Sequence, residues 1–161
     1  PRSRVVGILQ PSLRRGPILS REICVVFGVR VIDRVQPQRA LVRSIQQRLN
    51  LLPPHVVSGC GRTRKTLRVL GVPIETFREI VNSETVGENK PSEKGFRYIL
   101  AKTGLPASQH LMIGDREAVD LVPAKKLGMK TCLVWADPNK KFSRADIVLP
   151  TVYDIENFVL P

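Results

Sequence analysis

Two aspartates, Asp115 and Asp120, follow a short apolar stretch, Leu111 to Ile113, and a glycine, Gly114. A carboxylate at the end of a strand, with a second just past the turn, suits a hard cation such as Mg²⁺. That ion prefers oxygen ligands and keeps several of its waters. Gly114 allows the tight turn, and open parallel sheets hold ligands at this end of their strands. The plainer alternative is that the acids favour the N-terminus of the helix carrying Ala124 and Leu127. Ser58-Gly59-Cys60-Gly61 is a second candidate, because a hydroxyl followed by glycines ahead of a helix can donate to a phosphate oxygen. Ser-Gly is also an ordinary turn. Lys90, just before Pro91, places an ammonium at a helix entrance, where it could hold a phosphate or a carboxylate. Its alternative is a solvated surface lysine.

The elements that must position these residues can be read from the pattern. Ile23 to Phe27 is short, β-branched and apolar, as a buried strand should be. Gln38 to Leu52 puts Leu41, Val42, Ile45, Leu49 and Leu52 on one helical face, and Pro53-Pro54 stops it. Val56-Val57 predicts a brief strand, and Arg62 to Leu70 a helix with Thr66, Leu67 and Leu70 inward. Gly71 suits the position just past its end. Ile80-Val81 predicts another strand, and Asn82 to Asn89 a polar loop. Pro91 suits a first helical position, Phe96, Ile99 and Leu100 form an apolar face, and Gly104 ends that helix. Strands are expected at Lys130 to Trp135 and Ile147 to Leu149, and a last helix at Thr151 to Leu160. Strand and helix alternate from about Gln38 onward. That predicts an α/β fold, a Rossmann-like parallel sheet with helices on both faces.

Composition divides the chain. Its 161 residues suit one domain with a core, and no apolar run reaches the roughly 18 residues of a membrane helix. The net charge is +12, and residues 1–55 hold ten arginines, no lysine and only Glu22 and Asp33 as acids. The division expected is a basic, Arg-rich segment over 1–37 and an α/β core over 38–161. A basic arm can bind nucleic acid through phosphates, but aromatic interleaving and recognition motifs are missing. An Arg- and Ser-bearing, acid-poor start is also the composition of a transit peptide. The other readings are a solvated arm or coding sequence read out of frame. The opening at Pro1, without methionine, points to a processed, trimmed or incomplete front. Cys24, Cys60 and Cys132 have no CxxC spacing, which argues against a disulfide framework or zinc site and for a reducing compartment. The cytoplasm is the default expectation. His55 and His110 read as loop or surface residues.

Ser58, Lys90 and the Asp115/Asp120 pair, in that order, resemble the haloacid dehalogenase-like (HAD) hydrolase superfamily over residues 38–160. The most specific parts are Lys90-Pro91-Ser92 and the run from Gly114 through Asp120, Pro123, Gly128 and Thr131. Val57 to Gly61, with Thr66 to Val72, is similar to that family's second motif and its helix. A receiver-like signalling domain has the acids and the lysine in the opposite order. The resemblance implies Mg²⁺-dependent hydrolysis of a small phosphorylated metabolite. It implies Ser58, Gly59 and Lys90 on the phosphoryl group, Asp115 on Mg²⁺, and Asp120 supporting the metal, its waters or Lys90. Phosphoryl transfer needs such positioning and charge neutralisation.

One part of the pattern is missing. The family's nucleophile lies in an Asp-x-Asp motif at the end of the first strand, and this chain contains no Asp-x-Asp. In Val25-Val26-Phe27-Gly28-Val29-Arg30 the corresponding places fall on Gly28, which has no side chain, and Arg30, which stays protonated. Asp33 stands nearby but alone. No cap segment is identifiable. The expectation is a weakly active or inactive chain. Either it is a truncated or misread form of an enzyme, or it is a degenerate relative that binds phosphate or Mg²⁺ without turnover. The alternative from another class is a basic nucleic-acid-binding protein on an α/β scaffold.

Overall fold

A computed structural model describes residues 24–28, 55–57, 63–69, 73–136 and 143–155. Six strands form one sheet: β1 (Cys24–Gly28), β2 (His55–Val57), β3 (Glu79–Val81), β4 (His110–Gly114), β5 (Lys130–Val134) and β6 (Ile147–Leu149). Their order is β3-β2-β1-β4-β5-β6, and every pairing is parallel. The α/β expectation holds. Successive strand residues point to opposite faces, yet Leu111, Met112 and Ile113 are all fully buried, as are Thr131 and Cys132. Both faces are therefore covered, which is why these strands read as continuous apolar runs rather than alternating ones.

The described helices are α1 (Thr63–Val69), α2 (Ser83–Val86), α3 (Lys94–Thr103) and α4 (Val122–Lys126). Phe96 and Ile99 of α3 and Ala124 of α4 share one core with Cys24, Val26, Met112 and Leu133 of the sheet. From β1 to β3 the chain moves one way across the sheet, and from β3 through β4 to β6 it moves the other. Right-handed crossovers then set α1 on the face opposite α3 and α4. Gly104 ends α3 with φ 67° and its N–H on the Leu100 carbonyl, a left-handed cap that glycine adopts without steric cost.

Several local expectations are corrected. Asn82 to Asn89 is not all loop: the Asn82 side chain accepts from the Thr85 N–H at 3.0 Å, and α2 follows as a single capped turn. Pro91 is not a first helical residue; the Lys90–Pro91 peptide is cis and α3 starts at Lys94. Trp135 lies past β5 with φ 54°. His55 and His110 are not loop or surface groups. They open β2 and β4, 1% and 0% exposed. Each precedes an apolar run whose neighbours cover it on both faces, which local polarity does not register. In the span expected to form a last helix, Val152–Ile155 is a short 3-10 turn. The Gln38–Leu52 helix, Ser58, Gly59, Cys60, Arg30, Asp33, residues 1–23 and residues 156–161 lie outside the described residues.

Candidate functional site

The sheet order reverses direction between β1 and β4, and the carboxyl ends of two such strands make a crevice where ligands bind. Gly28 ends β1 beside β4, and Gly114 ends β4. Asp115 follows directly and is half-buried. The chain then makes a wide π turn, Glu117–Leu121, that carries Asp120. Such wide turns cluster at functional sites. Here the Asp120 N–H returns to the Arg116 carbonyl at 2.8 Å, while the Asp120 carboxylate accepts from the Arg116 N–H at 3.3 Å. The turn thereby folds Asp120 back over the strand ends, where it is 1% exposed.

Lys90 arrives from a different crossover. Its Nζ lies 2.5 Å from Asp120 Oδ1, with the two side chains 5% and 2% exposed. Two charges removed from water need close pairing and further hydrogen bonds to offset desolvation, and Arg116 N–H supplies one of these. The pair explains why Lys90 is buried rather than solvated.

The two strand-end glycines have distinct roles. A Cβ on Gly114 would sit 2.6 Å from Asp120 Cβ, so only glycine lets the aspartate pack over the end of β4. A Cβ on Gly28 would meet Asp120 Oδ1 and the Ile113 carbonyl at 3.6 Å, ordinary contact. Gly28 thus faces the Lys90–Asp120 pair without crowding it. Gly28, Gly114, Asp120 and Lys90 meet at one point, and Asp115 is next to it in the chain. β2 ends at Val57, in register with Gly28, and Ser58 and Gly59 are the next residues in the sequence. Those two residues lie outside the described set.

A divalent cation can be tested against these donors. Among the described residues no group of three or more His, Cys, Asp or Glu side chains converges as a metal cage. Gly28 offers no side-chain oxygen at the end of β1, and Asp120 already accepts two hydrogen bonds. What remains is one or two carboxylates, Asp115 foremost. That set is compatible with Mg²⁺, which binds through one or two carboxylates and completes its shell with waters and substrate phosphate.

Sequence reasoning passed over Glu117. Its carboxylate accepts from the Arg144 N–H, which ties the π turn to the lead-in of β6. That segment is held further by Lys125 on Asp146 at 2.7 Å and by the Thr131 N–H on Asp146 at 2.8 Å. Nothing local marks Glu117, because its partner is 27 residues away.

Fold and site define a parallel α/β protein with a lysine–aspartate pair at the switch point of its sheet. Residues 60–134 match the family model of haloacid dehalogenase-like hydrolases. YfnB of Bacillus subtilis, a protein named as a HAD-hydrolase, is 32% identical over 117 residues, covering 71% of this chain and 47% of that protein. Glyceraldehyde 3-phosphate phosphatase of Methanocaldococcus jannaschii is 42% identical over 55 residues, 34% of this chain and 24% of that one. The solved structure of YfnB bound to magnesium has the same fold, with a TM-score of 0.66 at 23% identity, covering 78% of this chain and 55% of that one. The chain belongs to the haloacid dehalogenase-like hydrolase superfamily. It spans less than half the length of these curated relatives.

Proposed function

We propose that this chain is a phosphate-binding HAD-like core that takes small phosphorylated metabolites and hydrolyses them weakly or not at all. The observation that carries the reading is Gly28: the end of β1, facing Lys90 and Asp120, presents no atom able to attack phosphorus. Relatives named for glyceraldehyde 3-phosphate and phosphoglycolate support short phosphomonoesters as the ligand class. In this reading the Lys90 ammonium offsets charge on the phosphoryl oxygens, and Asp120 holds that ammonium in place. Ser58 and Gly59, at the exit of β2, supply donors to the same group. Asp115 is the residue that would hold Mg²⁺, with Asp120 behind it; a bound Mg²⁺ would supply further positive charge to the phosphoryl oxygens. Arg30, permanently protonated, cannot exchange a proton with a leaving group. The site belongs to an α/β core that takes in β1 (Cys24–Gly28), within the basic segment 1–37, together with residues 38–161, and the cytoplasm is the compartment. Among the described residues no helix is long and apolar enough to cross a membrane.

The test pairs binding with turnover. Glyceraldehyde 3-phosphate and phosphoglycolate, each with Mg²⁺, are expected to raise the melting temperature without measurable phosphate release. Mg²⁺-dependent turnover that disappears in Asp115→Asn would overturn the inactive reading. No binding of either ester, with the fold intact, would overturn the phosphate-binding one.

A further inference from the structure

The pole of the sheet opposite Gly28 carries its own polar row. Cys24, His55, Glu79 and His110 are the first residues of β1, β2, β3 and β4, with Cys24 in register with His110 and His55 with Glu79. All but Glu79 are buried. Helix α3 is fastened to this row at two points: the Tyr98 hydroxyl donates to Glu79 at 2.6 Å, and Thr103 Oγ1 lies 2.8 Å from His110 Nε2. Between them, Cys24 Sγ and His55 Nδ1 are 3.2 Å apart.

We propose that His55 is the acid-sensitive catch of a clasp between the starts of β1 and β2, so that protonation of its ring opens this pole while the rest of the sheet stays folded. The two histidines are not equivalent. His110 can take up a proton and keep both bonds: Nδ1 donates to the Pro106 carbonyl at 3.0 Å, Nε2 donates to Thr103 Oγ1, and that hydroxyl turns to the Leu100 carbonyl at 3.2 Å. Among the described residues His55 has no such exit. Its partner is a thiol whose pKa burial raises to about 11, so Cys24 remains protonated and offers a charged ring only a weak sulfur acceptor.

The charges around His55, among the described residues, do not compensate. Arg78 and His110 oppose a cation there; Glu79 favours one, but it already accepts from Tyr98, which Lys102 overlies at 5.5 Å. Burial first, and then Arg78, pull His55 from 6.5 to about 4. A histidine whose folded pKa is depressed binds fewer protons folded than open. Its contribution is therefore intact above pH 6.5 and lost as pH falls towards 4.

The clasp is tested on the intact chain by trapping Cys24 with a pyridyl disulfide, which reacts at acid pH, and reading each cysteine by peptide mass spectrometry. Cys132, buried in β5, reports global unfolding. The open fraction at Cys24 is expected to rise by up to roughly tenfold per pH unit below pH 6.5, with Cys132 still protected. His55→Gln should flatten that slope, and His110→Gln should keep it. Cys24 and Cys132 opening together, no pH dependence at Cys24, or an unchanged slope in His55→Gln would each overturn the clasp. Should His55→Gln fail to fold, the ring of His55 is titrated by NMR in the unsubstituted chain. A ring that protonates near its ordinary value with Cys24 still protected overturns the proposal; a ring that stays neutral until Cys24 opens supports it.

Discussion

Lys90 and Asp120 are worth more as a pair than either is alone. Truncating one member of a buried ion pair leaves the other charged and uncompensated, at about 3–5 kcal/mol. Lys90→Met is therefore expected to lower unfolding stability by about that amount, measured by urea titration. Replacing both, Lys90→Met with Asp120→Leu, should recover most of the loss, because apolar residues of similar volume often match a buried pair. A double variant as unstable as the single one would show that the destabilisation comes from lost packing rather than lone charge. Gly114 makes a second residue-scale prediction. Gly114→Ala forces a carbon to within 2.6 Å of Asp120 Cβ, and overpacking of this kind costs about 1–3 kcal/mol. Asp120 must move, so phosphoglycolate binding should fall along with stability. Gly28→Ala, with its nearest contacts at 3.6 Å, should change stability far less, and comparing the two melting temperatures checks the distinction.

At the scale of elements, helix α3 holds the molecule together. Phe96 and Ile99 are both fully buried, in the core that also contains Val26, Met112 and Leu133, while Arg97 and Lys94 face solvent and pair with Glu93 and Glu88. Phe96→Ala should cost about 3–5 kcal/mol by cavity formation. Arg97→Ala should cost no more than about 1 kcal/mol, as exposed pairs do. The single turn α2 depends on its cap, where the Asn82 side chain satisfies the Thr85 N–H, and Asn82→Ala should cost about 1 kcal/mol. A Phe96→Ala effect no larger than that of Asn82→Ala would mean that α3 is not packed as described.

At the scale of the whole molecule, the sheet separates two chemistries. Its carboxyl pole gathers Gly28, Gly114, Lys90, Asp115 and Asp120, and its amino pole gathers Cys24, His55 and His110. Ligands that bind only the folded state stabilise it by about 2.7 kcal/mol at a hundred times Kd. A Mg²⁺ held by Asp115, as proposed, would meet few carboxylates, so phosphate is expected to complete its shell. Mg²⁺ and phosphoglycolate together should therefore raise the melting temperature by more than the sum of their separate shifts. Strict additivity, with both ligands bound, would mean that the two do not share a site.

Much of this was legible in the chain. Apolar runs bounded by glycine and proline marked β1, β4, β5 and β6, because a strand buried on both faces needs several apolar residues in succession and little else. Gly114-Asp115 and Lys90-Pro91 could be singled out because strand ends and helix entrances carry local signals. Tertiary structure alone decided the rest. Lys90 and Asp120 are 30 residues apart and belong to different crossovers, and no local period specifies which acid the ammonium meets. That Gly28 and Gly114 lie side by side follows from the strand order, and the order follows from a reversal of direction in right-handed connections. The histidines were misjudged for the same reason. Burial of His55 and His110 is set by the neighbouring strands and helices that close over them, and these come from distant parts of the chain.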